Sequence, residues 1–446
     1  MKLYFVSLGC DKNLVDSEKM MALLAAHSIE ITDDASLAEI IIVNTCGFIH
    51  DAKEESIETI LEMAAYKEQG VCRSLIVTGC LAQRYAEEMQ KEIPEVDAVV
   101  GTTAYDRIFE AVEKSLSGKK IRLMSELDYL PSNLTKRIGS AAGYTSYLKI
   151  AEGCNKRCTY CIIPYLRGNY RSVPMEELIA EAEELAAKGA KELIVIAQET
   201  TVYGVDLYGE KKLPELLTRL CEIDGIEWIR LMYCYPEEIT EELLDTMAVQ
   251  PKICHYLDLP IQHCNDTVLR RMGRKTNKKD LLEKIKFIRE KMPDAALRTT
   301  LISGFPGETE EQHEECVEFV RSVRFDRLGV FPYSPEEGTP AADYDNQLAD
   351  GTKRRWADEI MEASQIIIFE QNEKRVGKTM QVIVDGYLPE EEVYVGRTYR
   401  DAPDIDGCVF FSAPYEMISG TMATVLVTDA NGYDLMGELW NEEEDE

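Results

Sequence analysis

The sequence is poor in basic residues and has no long apolar runs. Its 446 residues include 49 lysines and arginines against 81 aspartates and glutamates, which gives a formal net charge of −32 at pH 7. Such an acidic chain is a poor match for a phosphate-rich partner and favours a basic one. No apolar run reaches the length of about 20 residues that crosses a bilayer, so no membrane partner is expected.

Features of an exported protein are also missing. The opening MKLYFVSLGC is typical of a strand and lacks the charged leader, apolar run and small-residue cleavage site of a signal peptide. We therefore expect a cytoplasmic protein. In that reducing setting, the 13 cysteines indicate metal-binding thiolates rather than a disulfide framework.

The stretch GCNKRCTYC lacks a fourth metal ligand. It places Cys154, Cys158 and Cys161 in a C-x3-C-x2-C pattern, whereas structural zinc needs four protein ligands. Three thiolates on a 4Fe-4S cluster leave one iron open, and that iron could bind the amino and carboxylate groups of S-adenosylmethionine. An electron from the cluster would then cleave the sulfonium bond and leave a 5'-deoxyadenosyl radical. Tyr160 offers a flat face on which the adenine could pack.

Residues 1–117 contain a second set of three cysteines. This segment alternates β-branched runs with helical periodicity, which indicates βα units on a parallel sheet. Cys10, Cys46 and Cys80 each follow the end of a predicted strand and lie beside a glycine. Because the carboxyl ends of parallel strands meet at one edge, we expect these thiols to bind a second cluster. The alternative is three small buried hydrophobes, since free cysteine is often buried.

The rest of the chain divides into three further segments, which makes this an α/β multidomain protein. Residues 118–139 form a linker with Gly, Pro and Ser. Residues 140–375 repeat six strand–helix units, which predicts a partial (β/α)6 TIM-like barrel whose active site lies on the loops after the strands. Residues 376–446 lose helical periodicity and predict a small antiparallel β-barrel of OB-like type, followed by a disordered acidic tail.

As a set, these motifs resemble the radical S-adenosylmethionine (SAM) methylthiotransferase family over essentially the whole chain. The matching stretches are GCDKNLVDSE at 9–18, NTCGFI at 44–49, VTGCLAQRY at 77–85, EGCNKRCTYCIIPYLRG at 152–168, GFPGETE at 304–310 and YSPEEGTPA at 333–341. The resemblance implies an N-terminal cluster domain, a radical SAM core and a C-terminal TRAM barrel. It also implies a transferase that replaces hydrogen on an unactivated carbon by a methylthio group.

The resemblance further implies a ligand set. Two 4Fe-4S clusters would be held by two groups of cysteines, the radical cluster by Cys154, Cys158 and Cys161 and the auxiliary cluster by Cys10, Cys46 and Cys80. SAM would serve as both methyl donor and radical source, and the open auxiliary iron would hold the sulfur. An external electron donor and a sulfur source are implied partners. Gln198 and Glu199 end a predicted strand, where members of the superfamily often bind SAM.

The family has two branches, one acting on adenosine in transfer RNA and one on the β-carbon of an aspartate in small-subunit ribosomal protein twelve. Three stretches resemble the protein-modifying branch, namely GCDKN, AQETTVYGVD and YSPEEGT. At the corresponding positions, the transfer-RNA branch has motifs similar to GCQMN, GQNVN and YSxRxGT. Residues 376–446 hold three basic and sixteen acidic residues, a net charge of −13. We therefore expect the TRAM barrel to attract a basic ribosomal protein and not to bind RNA.

Several alternatives stay open. One is a methylthiotransferase that acts on adenosine in transfer RNA. Another is a structural or electron-transfer iron–sulfur protein, which would explain the cysteines but not the six-unit barrel. A zinc site would have to recruit one of three histidines, His50, His255 or His263. Arg167 and Arg298 are equally suited to two roles. Each could bind a substrate carboxylate through two hydrogen bonds, or form an ion pair within the barrel. Cys72 lies off the pattern of the first three ligands and is left out. Six other cysteines are interpreted as ordinary small hydrophobes or loop residues, namely Cys221, Cys234, Cys254, Cys264, Cys316 and Cys408.

Overall fold

The structure is a computed structural model and describes residues 1–131, 136–139 and 143–440. Part of the predicted linker and residues 441–446, which make up most of the predicted acidic tail, lie outside the described residues. Over the described ranges, no helix combines the length and the apolar character that a bilayer span requires.

The N-terminal region folds as a parallel sheet covered by helices on both faces. Its strands are β1 Lys2–Ser7, β2 Glu30–Ile31, β3 Ile40–Thr45, β4 Ser74–Gly79, β5 Val96–Val100 and β6 Ile121–Leu123. Its helices are α1 Asp11–Ala26, α2 His50–Gln69, α3 Cys80–Arg84, α4 Ala86–Glu92 and α5 Ile108–Leu116. The strand order is β2-β1-β3-β4-β5-β6. The central strands β3 and β4 are buried along their whole length because one apolar core lies on each face.

The predicted linker is not free of structure. Strand β6 falls within residues 118–139 and pairs in parallel with β5, so it completes the N-terminal sheet. Farther along the linker, the buried Arg137 donates a hydrogen bond to Glu181 at 3.0 Å and also pairs with Glu18. The linker therefore packs against both neighbouring regions. The domain boundaries at 117, 139 and 375 stay predictions.

The second region is the partial barrel that the sequence predicts. Its strands are β7 Thr145–Lys149, β8 Ala151–Glu152, β9 Arg171–Ser172, β10 Glu192–Ile196, β11 Trp228–Leu231, β12 Ile253–Asp258, β13 Ala296–Ser303 and β14 Arg327–Pro332. The main sheet has the order β14-β13-β12-β11-β10-β7, and every pair in it is parallel. The short strands β8 and β9 form an antiparallel pair beside it.

Helices pack on the outside of this barrel. They are α6 Ile163–Arg167, α7 Met175–Ala187, α8 Val205–Tyr208, α9 Leu213–Cys221, α10 Glu241–Val249, α11 Asp266–Arg271, α12 Lys278–Lys291, α13 Glu310–Val323 and α14 Asp350–Glu373. Alternate residues along the strands face either these helices or the barrel interior. On β10, Leu193 and Val195 join the core under the helices, whereas Ile194 and Ile196 join a separate interior cluster.

The C-terminal region is a closed five-stranded barrel. Its strands are β15 Thr379–Leu388, β16 Val393–Thr398, β17 Val409–Ser412, β18 Met422–Asn431 and β19 Asp434–Leu439, in the closed order β15-β16-β17-β19-β18. The predicted OB-like barrel is confirmed. Four of its five strand pairs are antiparallel, as predicted, and β17 and β19 run parallel.

Salt bridges attach this small barrel to the larger one. Arg397 pairs with Glu192 on β10 at 2.9 Å, and Arg400 pairs with Asp326. Both arginines are buried. Ile383 and Ala402 of the small barrel join the interior cluster of the large barrel. The small barrel therefore helps to close the space inside the partial barrel.

Candidate active site

The first three predicted ligands lie at one edge of the N-terminal sheet. Cys10, Cys46 and Cys80 directly follow β1, β3 and β4, which are adjacent strands. Gly9 has a φ of 89°, and a Cβ built on it would lie 2.9 Å from the Cβ of Cys46. Only glycine permits both this conformation and this close approach. The structure thus brings together the three loops in which the sequence predicts an auxiliary site.

Burial raises the pKa of two of these thiols, those of Cys46 and Cys80. It raises the pKa of Cys46 to about 11, and the charges of Cys80 and Cys10 raise that pKa further. Burial also raises the pKa of Cys80, while the nearby Arg167 guanidinium opposes that rise. Cys10, in contrast, is exposed. Because thiolates are the metal-binding form, loading of this site must release protons.

The second three predicted ligands lie in the loop between β8 and α6. The amide of Cys161 donates to the carbonyl of Cys158 at 3.0 Å. Between them, the Thr159 amide donates to Met272 and its carbonyl accepts from Ala341, each at 2.9 Å. Burial raises the pKa of Cys154 to about 11 and raises that of Cys161 still further. The loop is therefore held in shape by backbone contacts with distant segments of the barrel.

The two cysteine groups are neighbours in space. Cys80 packs against Ile162, the residue after Cys161, and against Leu166 on α6. The first cysteine group therefore lies against the start of the helix that follows the second group.

The spacing of the thiols does not match a zinc site. Tetrahedral zinc with bonds of about 2.3 Å brings sulfur ligands within about 3.8 Å of one another. Among the described residues, neither cysteine group has all its sulfurs within 4.8 Å, and His263, Cys264 and Cys316 are the set that meets this limit. The wider spacing of the predicted ligands is compatible with a larger group such as a 4Fe-4S cluster.

The histidines that the zinc alternative requires are engaged elsewhere. His50 is exposed and lies 3.7 Å from Glu54. His255 interacts with Asp294 at 2.8 Å, and His263 is buried 3.0 Å from Glu308. They are not placed to complete either group of cysteines.

Polar groups of the barrel surround the second cysteine group. The Tyr235 hydroxyl lies 3.6 Å from the Sγ of Cys158, and the Arg274 guanidinium lies 4.2 Å from the centre of the Tyr235 ring. Arg274 is buried, and its Nε and Nη1 atoms have no hydrogen-bond partner. Tyr160, half-buried, packs beside these groups. Buried donors without acceptors are costly, so Arg274 is suited to bind an anionic group.

The predicted strand-end residues point polar atoms toward the same region. The Nε2 atom of Gln198 donates to Glu152 at 2.7 Å, while its buried Oε1 has no partner. Glu199 is 1% exposed and lies 3.2 Å from the ammonium of Lys156. Burial raises the pKa of Glu199 to about 7, although Lys156 acts to lower it. Both acceptors are suited to a cationic or amino group.

Arg167 is not available to grip a substrate. It is 1% exposed and donates to Glu152 at 2.8 Å and to Asp16 at 3.1 Å. Arg298 likewise donates to Asp258 at 2.9 Å. The ion-pair interpretation therefore holds for both arginines.

A cavity of about 380 Å³ joins the three regions of the chain. Its walls come from the β1–α1 loop, the interior of the partial barrel and the β16–β17 loop of the small barrel. The lining residues are Ser7, Gly9, Cys10, Asp11, Leu14, Tyr147, Ile194, Met232, Tyr233, Ala402, Pro403, Asp404 and Ile405. Among the six predicted ligands, Cys10 is the one that borders this space.

Comparison with protein families divides the chain as the fold does. Residues 2–101 match a family described as "Uncharacterized protein family UPF0004", residues 148–320 match the radical SAM superfamily, and residues 376–439 match the TRAM domain. Among solved structures, the radical SAM methyltransferase TsrM from Kitasatospora setae aligns with a TM-score of 0.56 at 15% identity and covers 76% of each chain. That similarity supports the fold.

Two relatives match along their full length. A protein of Lachnoclostridium phytofermentans is 58% identical over 437 residues, covering 98% of this chain and 99% of the relative. A protein of Geobacter sulfurreducens is 49% identical over 440 residues, covering 98% of each chain. Both are named ribosomal protein uS12 methylthiotransferase RimO. With its radical SAM and TRAM regions, the chain belongs to the RimO family of radical SAM methylthiotransferases.

Proposed function

We propose that this enzyme places a methylthio group on the β-carbon of an aspartate in ribosomal protein uS12. The contact of Cys80 with Ile162 and Leu166 carries this proposal. A methylthio transfer needs a source of sulfur beside a source of radicals, and this contact puts the two cysteine groups side by side. The names of the relatives favour this substrate over transfer RNA.

Six cysteines would hold two 4Fe-4S clusters, namely Cys10, Cys46 and Cys80 for the auxiliary cluster and Cys154, Cys158 and Cys161 for the radical cluster. When bound, the clusters and SAM supply the electron, the carbon radical, the sulfur and the methyl group. The supporting observations are the convergence of the loops after β1, β3 and β4, the backbone clamp on the radical loop, and sulfur spacings wider than zinc allows. The reaction would also need an external reductant and a source of sulfur.

Four side chains would bind and orient SAM at the radical site. Arg274, with two guanidinium nitrogens free of partners, suits the carboxylate. Gln198 suits the amino group, because its buried Oε1 has no hydrogen-bond partner. Glu199 adds a buried carboxylate at the next position, where Lys156 lies 3.2 Å away. Tyr160 offers a ring for the adenine. This use of Gln198 and Tyr160 follows the sequence prediction, whereas Arg274 emerges from the structure.

The β16–β17 loop would limit access of water to the reacting atoms. Ala402 is buried within the interior cluster, and Pro403 and Ile405 line the cavity. An apolar cover of this kind protects a radical from water.

The charge of the small barrel suits a basic protein. Two of its three basic residues, Arg397 and Arg400, are buried in salt bridges, so they contribute little to the field outside. The acidic turn Glu390–Glu392 is exposed. Such a surface repels phosphate and raises the encounter rate with a basic ribosomal protein. We infer that the TRAM barrel recruits uS12 and does not bind RNA. A cytoplasmic location stays a prediction.

The deciding experiment offers both substrates in one tube. Enzyme reconstituted without oxygen would be mixed with SAM, sulfide, a reductant, purified uS12 and transfer RNA, and the products would be analysed by mass spectrometry. We expect a methylthio mass gain on an aspartate peptide of uS12. Gain on adenosine alone would refute the proposed substrate, and formation of 5'-deoxyadenosine with neither product would refute the transfer reaction on these substrates.

A further inference from the structure

Lys12 differs from the other buried lysines of the described residues. Lys19 lies 2.9 Å from Glu181, Lys149 lies 2.8 Å from Glu152, and Lys353 lies 3.0 Å from Asp350. Lys12 is only 5% exposed, yet no carboxylate oxygen of the described chain lies within ion-pair distance of its ammonium. Its ammonium instead lies 2.9 Å from the centre of the Tyr233 ring. A buried cation supported mainly by an aromatic face can still accept a carboxylate partner.

The nearest acidic side chains are committed to other donors. Asp11 accepts the Tyr233 hydroxyl at 2.9 Å, and Asp258 accepts the Tyr233 amide at 3.0 Å. Asp258 also pairs with Arg298 at 2.9 Å. Tyr233 is thereby fixed at its backbone and at its hydroxyl, which holds the ring beneath the ammonium of Lys12. The described residues therefore hold the Lys12 ammonium against a fixed aromatic ring but supply no carboxylate that pairs with it.

The Tyr233 ring that contacts the Lys12 ammonium belongs to a residue that lines the cavity described above, whereas Lys12 itself is not a lining residue. Tyr233, Asp11 and Cys10 all line that cavity, and Cys10 is two residues before Lys12. The exposed thiol of the proposed auxiliary site and the lone ammonium are therefore on the same short segment. A carboxylate bound beside Tyr233 at this side of the cavity would lie near a positive charge and near the proposed sulfur source.

We propose that the Lys12 ammonium binds the side-chain carboxylate of the aspartate that is modified. This inference rests on the proposed function and names the group that selects the target residue. The β-carbon of aspartate is bonded directly to its carboxylate carbon, so a salt bridge to the carboxylate fixes the carbon that receives the methylthio group. Arg167 and Arg298 cannot take this role, because acidic residues of the chain already occupy them.

The test compares binding of uS12 with binding of uS12 whose target aspartate is replaced by asparagine. Wild-type enzyme, Lys12→Met, Lys12→Arg and the surface control Lys114→Met would be measured as reconstituted full-length chains. Methionine keeps the length of the side chain without its charge. Lys114 lies on the same domain and pairs with Glu110 at the surface. Iron content and methylthiolation of uS12 would be measured on the same samples.

We expect wild type and Lys114→Met to bind the aspartate form at least about 10-fold more tightly than the asparagine form, as a charged hydrogen bond predicts. Lys12→Met should bind both forms equally, lose at least about 10-fold in kcat/KM and keep its iron, while Lys12→Arg should recover part of the discrimination. The wild-type comparison needs no variant to fold.

Two results would overturn the inference while the proposed function stands. One is wild-type enzyme that modifies uS12 but binds both forms equally. The other is a Lys12→Met enzyme that still discriminates, or that changes only in iron content, which would make Lys12 a counter-ion of the cluster. Wild-type enzyme that makes no methylthio product on uS12 would instead refute the proposed function and, with it, this inference.

Discussion

Replacing Arg167 by methionine should loosen the contact between the N-terminal sheet and the barrel. The guanidinium donates to Asp16 on α1 and to Glu152 on β8, so it joins the two regions. Burial acts to raise the pKa of Glu152, but Arg167 and Lys149 outweigh it and hold that pKa well below its usual range. Loss of one partner from a buried pair costs about 3–5 kcal/mol. Because Lys149 still pairs with both carboxylates, we expect a cost at the lower end of this range, about 3 kcal/mol.

Thermal unfolding of the metal-free protein at pH 7.5 would measure this cost. About 3 kcal/mol corresponds to a fall in Tm of about 6–12 °C for a cooperative unit of 150–250 residues. The control is Arg107→Met, since Arg107 pairs with Glu110 at 2.8 Å and is 40% exposed. An exposed pair contributes about 0–1 kcal/mol, so this variant should melt close to wild type. If Arg167→Met melted as the control does, the network would not be a structural link between the two regions.

The same pair sets the direction of the pH dependence. A carboxylate whose folded pKa is depressed stabilises the fold above its unfolded pKa, and this contribution is lost as the pH falls through the folded value. The difference in Tm between wild type and Arg167→Met should therefore be constant above pH 5 and shrink in stronger acid. A difference that instead grew toward acid would refute the assignment of Glu152 as an ionised partner.

Three further predictions concern cofactors and partner. Alanine at Cys46 or at Cys158 should each remove about four irons per chain, measured colorimetrically after reconstitution. Because burial raises the pKa of Glu199 to about 7, its carboxylate gains a proton below pH 7, so SAM should bind about tenfold more weakly at pH 6 than at pH 8 in equilibrium dialysis. Replacing the exposed acidic turn Glu390–Glu392 by lysines should slow association with uS12 by about tenfold at low salt and by less at high salt, measured by stopped flow.

Matched controls make each of these predictions refutable. Cys234 is buried outside both cysteine groups, so Cys234→Ala should keep its iron, and equal losses in all three cysteine variants would contradict the ligand assignment. Glu199→Gln should bind SAM with no pH step near 7, and a step that persisted would belong to another group. Replacing Glu390–Glu392 by glutamines should give an intermediate association rate, whereas a rate unaffected by either replacement would exclude steering by this turn.

The sequence predicted the sheets because apolar runs and periodicity are local signals. Each of the six barrel strands matches a predicted run, and the loops carrying the predicted cysteine ligands follow strands as expected. Helix α14 follows the last of these strands and carries the same kind of local signal, since its buried Trp356, Ile360 and Ile367 are spaced at four and seven residues. Strand β6 has only three residues, too few to show a period, and only pairing with β5 defines it.

Long-range partners could not be predicted because they depend on how the regions pack. Arg167 and Asp16 are 151 residues apart in the chain, and no local pattern showed that the arginine would be neutralised. Arg274 stands out only because two of its nitrogens lack acceptors in the folded barrel. Lys12 lies inside a motif that the sequence had already singled out, yet its lack of a carboxylate partner is a property of the folded structure.

The acidity of the chain and the isolation of Lys12 fit one account of substrate choice. Electrostatic attraction between the acidic barrel and a basic protein acts at long range, but it does not distinguish one residue of that protein from another. Selection of a single aspartate requires a positive charge at short range. An acidic surface alone would repel an acidic side chain, so the buried cation beside Tyr233 supplies the attraction that the surface cannot. Recruitment and selection therefore use charges of opposite sign in different places.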